Sequence, residues 1–246
     1  MNKAIEIVDL SVKFPSRGGF VEALSHINFS VETGQVCAFL GPNGAGKTTT
    51  IHVLLGFLAA TEGMAKIFGE DVRKSIARQR IGYLAEHPDT YRFLTGREAL
   101  SITGRLFGMT GRTLQSNVNA ILAMLDMTSA ANRKISTYSR GMMQRICLGQ
   151  SLINNPDLII LDEPTGGLDP IGRMNIRKII GRLRDEGKTI FFSSHELSEA
   201  ETVCDHLVII SSGNIVVSGA INKLIKPGEN LEKYFMKTIQ TAAIHD

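Results

Sequence analysis

Residues 41–48, Gly-Pro-Asn-Gly-Ala-Gly-Lys-Thr, have the types and the spacing needed to hold a chain of phosphates. They fit the pattern G-x-x-x-x-G-K-[ST] at every fixed position. Glycine lets such a loop curl until its backbone N–H groups point at phosphate oxygens, and the N-terminus of a following helix adds partial positive charge. Lys47 would reach the β- and γ-phosphates, and the Thr48 hydroxyl would ligate Mg²⁺. This segment predicts that the chain binds a nucleoside triphosphate.

Two carboxylates follow a second apolar run, because Leu158-Ile159-Ile160-Leu161 leads directly into Asp162 and Glu163. In a parallel sheet, ligands collect at the carboxyl ends of the strands. Mg²⁺ keeps much of its water shell and prefers carboxylate oxygen, so Asp162 would hold the ion through water. Glu163 would orient or deprotonate an attacking water.

A histidine ends a third apolar run, Thr189-Ile190-Phe191-Phe192-Ser193-Ser194-His195. At the carboxyl end of a core strand, the His195 imidazole can contact a γ-phosphate; the alternative is an ordinary surface histidine. A zinc site of the H-E-x-x-H type is excluded because Glu199 stands where the second histidine is required. Between these motifs, Ser139 is a candidate helix N-cap and Gly141 allows close backbone approach, although this segment alone indicates only a capped helix.

The elements that must position these residues alternate between strand and helix patterns. Strands are predicted at 5–12, 29–31, 36–40, 64–68, 81–84, 158–161, 189–193 and 207–210, with a hairpin at 212–214. Helices are predicted at 49–58, 97–107, 113–125, 141–153, 172–185 and 231–239. The alternation indicates an α/β protein with a mainly parallel sheet, and strand patterns vanish between about 87 and 153, which indicates a helical insertion.

The composition of the chain indicates which partners and which cellular compartment to expect. Of its 246 residues, 43% are hydrophobic, and the net charge of +3 comes from scattered basic residues, so no nucleic-acid partner is expected. It has no run of eighteen apolar residues and no apolar core of a signal peptide near Met1. Three widely separated cysteines indicate buried free thiols in a reducing compartment, so a cytoplasmic location is expected.

Taken together and in this order, the motifs resemble the ATP-binding subunit of ATP-binding-cassette (ABC) transporters, from about Ile5 to Gly219. The resemblance implies a P-loop NTPase core, with a mainly parallel sheet and an antiparallel β-subdomain, at 1–86 and 154–220. It also implies a helical signature subdomain at 87–153, a short C-terminal tail at 221–246, and the use of ATP and Mg²⁺. The residues that it assigns to ATP are Phe14, Gly41, Pro42, Asn43, Gly44, Ala45, Gly46, Lys47, Thr48, Thr49, Ser139, Gly141 and Asp169.

Within this resemblance each residue has an expected role. Thr48, Asp162 and Glu86 would bind the metal. Glu163 would be the catalytic carboxylate, and His195 would be the switch histidine. Ser139 and Gly141 would contact the ATP held by the opposite subunit, and Gly167-Leu168-Asp169 would cross the dimer interface. Phe14 would stack on adenine, with Phe20 as a competitor.

The sequence departs from the family pattern in two places. Where Leu-Ser-Gly-Gly-Gln is common, it has Tyr138-Ser139-Arg140-Gly141-Met142, and Glu86 replaces the usual switch glutamine. These forms are similar to the branch that partners ABC-2-type membrane proteins, often exporters.

The resemblance implies an ATPase at the cytoplasmic face of the cell membrane, paired with an integral-membrane permease and a second ATP-binding subunit, as a homodimer. The loop at 87–94 would receive the permease, or its aromatic residues would anchor the helical lobe to its own core. A soluble ABC ATPase without a transport role is the alternative function. The transported substrate stays open, since it is determined by the permease.

Overall fold

The computed structural model describes residues 2–225 and 230–242, which form two sheets and a group of helices. The strands are β1 Lys3–Ser16, β2 Gly19–Glu32, β3 Val36–Leu40, β4 Glu62–Ile67, β5 Glu70–Asp71, β6 Ile81–Leu84, β7 Leu158–Leu161, β8 Thr189–Ser194, β9 His206–Ser211 and β10 Asn214–Ala220. The helices are α1 Lys47–Leu54, α2 Ser75–Arg78, α3 Gly96–Leu106, α4 Gly111–Met124, α5 Arg140–Leu152, α6 Pro170–Asp185, α7 Leu197–Val203, α8 Ile221–Leu224 and α9 Leu231–Ala242. This order confirms the α/β class with a helical segment inserted between strands.

The larger sheet has the strand order β10-β9-β3-β8-β7-β6, and all its neighbours are parallel except β9 and β10. Strands β3, β7 and β8 are buried along their whole length, which explains why their sequences are apolar without alternation. Strand β8 lies between β3 and β7, with Leu40 opposite Ser194 and Leu161 opposite Phe192. The residues that follow these three strands therefore meet at one edge of the sheet.

The smaller sheet, in the order β2-β1-β4-β5, is antiparallel. Its first two strands are longer than the predicted segments 5–12 and 29–31, because β1 and β2 continue as a hairpin in which Phe14 pairs with Val21. Side chains in this extension are largely exposed, so the apolar alternation that indicates a strand is lost there while backbone pairing continues.

The helical segment contains α3, α4 and α5, whose apolar faces share one core through Leu100, Leu122 and Leu148. Helix α3 begins with a complete capping box, in which Thr95 and Glu98 bond each other's backbone N–H groups. Thus the three helices predicted between 87 and 153 are confirmed.

Several predicted helix boundaries differ from the structure by two residues or more. Helix α1 begins at Lys47 and ends at Leu54, before Gly56 with φ +68°, instead of running from 49 to 58. Helix α6 begins at Pro170 instead of 172, because Asp169 caps it. Helix α9 continues past the predicted 239 to Ala242, and the rest of the tail beyond it, as well as 226–229, lies outside the described residues. Within the part of the chain that is described, no helix has the length and apolar character needed to cross a membrane.

Candidate nucleotide-binding site

The loop between β3 and α1 takes a conformation that depends on glycine. Gly44 has φ +79° and Gly46 has φ +109°, a region that residues with a Cβ rarely adopt. A Cβ on Gly46 would also lie 2.6 Å from Leu24 Cδ2 and 2.9 Å from the carbonyl oxygen of Ala23. The loop is therefore packed closely against β2 and leads directly into the N-terminus of α1, which is the arrangement that its sequence predicts.

Lys47 lies over this loop with its side chain only 7% exposed. Its Nζ donates hydrogen bonds to the carbonyl oxygens of Gly41, at 2.7 Å, and Pro42, at 3.2 Å. The same ammonium group is 3.4 Å from Glu163 Oε1. A buried cation is thus held by two carbonyls and a carboxylate at the mouth of the loop, in a place where phosphate oxygens can replace these partners.

Glu163 connects the residues at the ends of β7 and β8. Its Oε2 lies 2.8 Å from His195 Nδ1, and its backbone is left-handed, with φ +47°. Its backbone N–H donates to Ser193 Oγ at 2.9 Å, while that hydroxyl donates to Asp162 Oδ1 at 2.6 Å. One buried serine therefore holds the Asp162 carboxylate and the backbone of Glu163, and its position inside an apolar strand gives no sign of this role in the sequence.

These groups surround a pocket of about 350 Å³. Its lining consists of Ala23, Pro42, Asn43, Gly44, Gly46, Lys47, Thr48, Thr49, Glu86, Glu163 and His195. The structure thus brings together most of the residues assigned to ATP and the metal, including Glu86. Within the loop itself, Gly41 and Ala45 are buried and do not line the pocket; a Cβ on Gly41 would meet the carbonyl oxygen of Ile210 at 2.4 Å.

Asp162 is 1% exposed and does not line this pocket, whereas the next residue, Glu163, does. Thr48 is exposed in the pocket, so a hydroxyl and carboxylates face the position expected for a cation. Hydroxyl and carboxylate oxygens with room for water are the ligands that suit Mg²⁺. The donor set therefore fits Mg²⁺ bound together with phosphates.

Phe14 and Phe20 are not among the residues that line this pocket, where β2 contributes Ala23 instead. Phe14 is 39% exposed and Phe20 73% exposed on the β1–β2 hairpin. The assignment of either ring to adenine stays a prediction.

Ser139, Gly141 and Asp169 line a separate hollow of about 370 Å³, together with Arg140 and Gly167 among others. Ser139 Oγ accepts a hydrogen bond from the Met142 N–H at 3.3 Å and caps α5, as predicted. None of these residues lines the pocket over the loop. The hollow and the pocket over the loop therefore share no lining residue.

Burial and nearby charge alter several ionisable groups around the site. Burial, and then the negative charges of Asp162 and Glu86, raise the pKa of Tyr83 to about 12. Burial also raises the pKa of Glu199, whose Oε2 accepts from the Thr165 hydroxyl while its Oε1 has no hydrogen-bond partner among the described residues. The cysteines Cys37, Cys147 and Cys204 are buried free thiols, and burial raises the pKa of each.

Comparison with known proteins agrees with this geometry. A family model described as ABC transporter matches residues 24–166. The chain is 41% identical over 207 residues to an uncharacterized ABC transporter ATP-binding protein of Nostoc sp., covering 83% of this chain and 62% of that protein. It is 38% identical over 202 residues to Nod factor export ATP-binding protein I of Burkholderia lata, covering 81% of this chain and 66% of that protein. The chain thus spans about three fifths to two thirds of the length of these two relatives.

Among solved structures, an ATP-binding subunit of an ABC transporter superimposes with a TM-score of 0.83 at 26% identity, covering 96% of this chain and 99% of that one. Together with the match to the family model, this shows that the chain belongs to the ABC transporter family, as an ATP-binding subunit.

Proposed function

We propose that this chain hydrolyses ATP to power an ABC transporter, and that its catalytic groups are Glu163 and His195. The observation that carries the proposal is the contact of Glu163 with both Lys47, at 3.4 Å, and His195, at 2.8 Å. These three residues follow three different strands, so their convergence at one edge of the sheet is not explained by local structure. A base, a cation and an imidazole around one pocket are the groups that phosphoryl transfer to water requires.

Each residue has a task that follows from its position. Lys47 exchanges its carbonyl and carboxylate partners for β- and γ-phosphate oxygens and neutralises part of their charge. Glu163, released from Lys47, accepts the proton of the attacking water, and the His195 imidazole orients the carboxylate through Oε2. Mg²⁺, bound through Thr48 and the water shell next to Asp162, would supply charge neutralisation at the phosphates. Glu86, in place of glutamine, adds a carboxylate to the same side of the pocket.

We assign a dimer of two such subunits to the working state. Ser139, Gly141 and Asp169 lie on a hollow apart from the phosphate loop of their own chain, so they are free to serve a nucleotide held by a second copy. ATP would then join two subunits, and hydrolysis would separate them. Closure and opening of this dimer would move a membrane partner between two states.

For the membrane partner we propose an ABC-2-like permease that docks at the helical segment. A groove of about 630 Å³ runs between β6 and helices α3 and α5. Asp89 lines this groove, and Tyr91 and Phe93 follow it within four residues of the chain. Their side chains are 66% and 69% exposed, with ring centroids 5.6 Å apart, so neither ring is anchored in the core of its own lobe. Exposed paired aromatics next to a groove suit docking of an amphipathic segment of the permease.

Export is the proposed direction, supported by the similarity to a Nod factor export protein. A peripheral location at the cytoplasmic face of the membrane follows from this assembly. The residue pattern at Tyr138–Met142 supports the ABC-2 branch, and the boundaries 1–86, 87–153, 154–220 and 221–246 remain our proposed division of the chain.

Affinity purification from gently solubilised native membranes tests the transport proposal. The bait is the tagged Glu163→Gln variant with ATP, and the same bait without nucleotide is the control. Recovery of a stoichiometric polytopic protein would support the transporter, and its identity would point to the substrate. Recovery only from the soluble fraction, with ribosomal or DNA-repair proteins, would favour the soluble ABC ATPase instead.

A further inference from the structure

Arg140 occupies the position where the family pattern commonly has glycine, and it contacts a loop of its own chain. Its Nη2 donates a hydrogen bond to the carbonyl oxygen of Gly166 at 3.0 Å. The guanidinium also lies flat against Gly167, because a Cβ built there would come within 2.4 Å of Cζ and Nη1. Gly167 has φ +66°, a conformation that favours glycine, and the guanidinium fills the space that a Cβ would occupy.

The loop that Arg140 contacts connects Glu163 to Asp169. Its backbone is folded on itself, since the Gly166 N–H donates to the Glu163 carbonyl at 3.0 Å and the Leu168 N–H donates to the Thr165 carbonyl at 3.1 Å. A shift of the Gly166 peptide is therefore transmitted to the backbone of Glu163. The same loop leads into α6 through the Asp169 cap.

Helix α5 holds this loop at a second point, one turn further along. Gln144, which is buried, donates from Nε2 to the Pro164 carbonyl at 2.8 Å. From the other side, Arg173 Nε of α6 donates to the Leu168 carbonyl at 3.0 Å. Arg140 differs from these two side chains because it is exposed and stands between Ser139 and Gly141, at the start of α5.

We propose that Arg140 is a positioning residue that joins the start of α5 to the Gly166–Gly167 peptide, so that movement of Ser139 and Gly141 changes the position of Glu163 in the same subunit. A glycine in its place has no side chain with which to make this connection. The tether, which is the contact of Arg140 with the Gly166–Gly167 peptide, lies within one chain, whereas its effect on turnover rests on the proposed function. An alternative role for this exposed cation is direct binding of a phosphate held by a second subunit. Only the tether predicts that the loop between Glu163 and Asp169 loses protection when Arg140 is removed from the nucleotide-free protein.

Hydrogen exchange in the nucleotide-free protein separates these roles. The variants are Arg140→Ala, the conservative Arg140→Lys and the control Arg133→Ala. Arg133 is an exposed arginine that also donates to a backbone carbonyl, that of Thr137 at 3.2 Å, away from the loop. We expect Arg140→Ala to speed exchange of the Gly166 and Leu168 amides about fivefold, the loss expected for one charge-assisted hydrogen bond at an exposed position. Lysine should restore part of the protection, and the control should match the wild type.

Steady-state ATP hydrolysis by the same variants tests the coupling. We expect Arg140→Ala to lower kcat about tenfold, with ATP binding to the phosphate loop unchanged and partial rescue by lysine. Wild-type exchange in Arg140→Ala would overturn the tether and favour phosphate binding. Faster exchange with wild-type kcat would overturn the coupling. If the wild-type protein hydrolyses no ATP, the proposed function fails, while the exchange result still decides whether the tether exists.

Discussion

The substitution Glu163→Gln isolates the carboxylate charge at the centre of the site with almost no change in shape. This charge contacts Lys47 at 3.4 Å and His195 at 2.8 Å, and the side chain of Glu163 is 9% exposed. Glutamine keeps an oxygen for these contacts but loses the charge and the ability to accept a proton. Two effects on ATP follow, one on turnover and one on binding.

The sizes of both effects can be estimated from the contacts. A positioned general base contributes about 10²–10⁴-fold to a rate, so kcat should fall at least about 100-fold. At an effective dielectric constant near 20, the attraction across 3.4 Å between Lys47 and Glu163 is about 5 kcal/mol before desolvation. Phosphates must compete with this attraction for Lys47. Screening by solvent, and the contact that glutamine still makes with Lys47, reduce the difference between the variant and the wild type. A remaining difference of about 1.4 kcal/mol would make ATP bind about tenfold more tightly to the variant.

The assay combines ATP titration at nanomolar protein concentration, where subunits stay apart, with phosphate release under turnover conditions. The control is Glu70→Gln, which removes a carboxylate 3.5 Å from Lys74 on the exposed surface and should change neither quantity. Hydrolysis by Glu163→Gln at the wild-type rate would refute the assignment of the base. Unchanged or weaker ATP binding would show that the contact between Lys47 and Glu163 does not restrain the free protein.

Three further substitutions test other parts of the site. Lys47→Ala should weaken ATP binding at least about tenfold, since a buried cation facing the phosphates is lost; unchanged affinity in the same titration would contradict the phosphate-loop assignment. Ser193→Ala should lower the free energy of unfolding, measured in urea, by about 2 kcal/mol, because Asp162 Oδ1 and the Glu163 N–H both lose a buried partner. A wild-type midpoint of unfolding would contradict this. Burial raises the pKa of Glu199 above its ordinary value of 4.5. The folded protein therefore loses stability as the pH rises from 4.5 through the raised pKa. The difference in melting temperature between Glu199→Gln and the wild type should therefore grow as the pH rises above 4.5, and parallel curves would count against a raised pKa of Glu199.

Much of the fold could be predicted from short patterns. The apolar runs of β3, β7 and β8 identify buried parallel strands because both faces of these strands are covered. The extension of the β1–β2 hairpin was missed because its exposed side chains carry no alternation, and only pairing with the neighbouring strand maintains it. Likewise the start of α6 was placed two residues late, since the capping role of Asp169 depends on its conformation as well as its type.

The phosphate loop and the candidate residues Asp162, Glu163 and His195 could be identified from local patterns, because each follows a short apolar run that indicates a buried strand. Which of these residues touch depends on the tertiary structure. Strand order places β8 between β3 and β7, so Glu163 meets Lys47 and His195 from different parts of the chain. The tertiary structure also creates the contacts of Ser193 and Arg140 with residues about thirty positions away. Hydrogen bonds between residues so far apart produce no periodic pattern in the sequence.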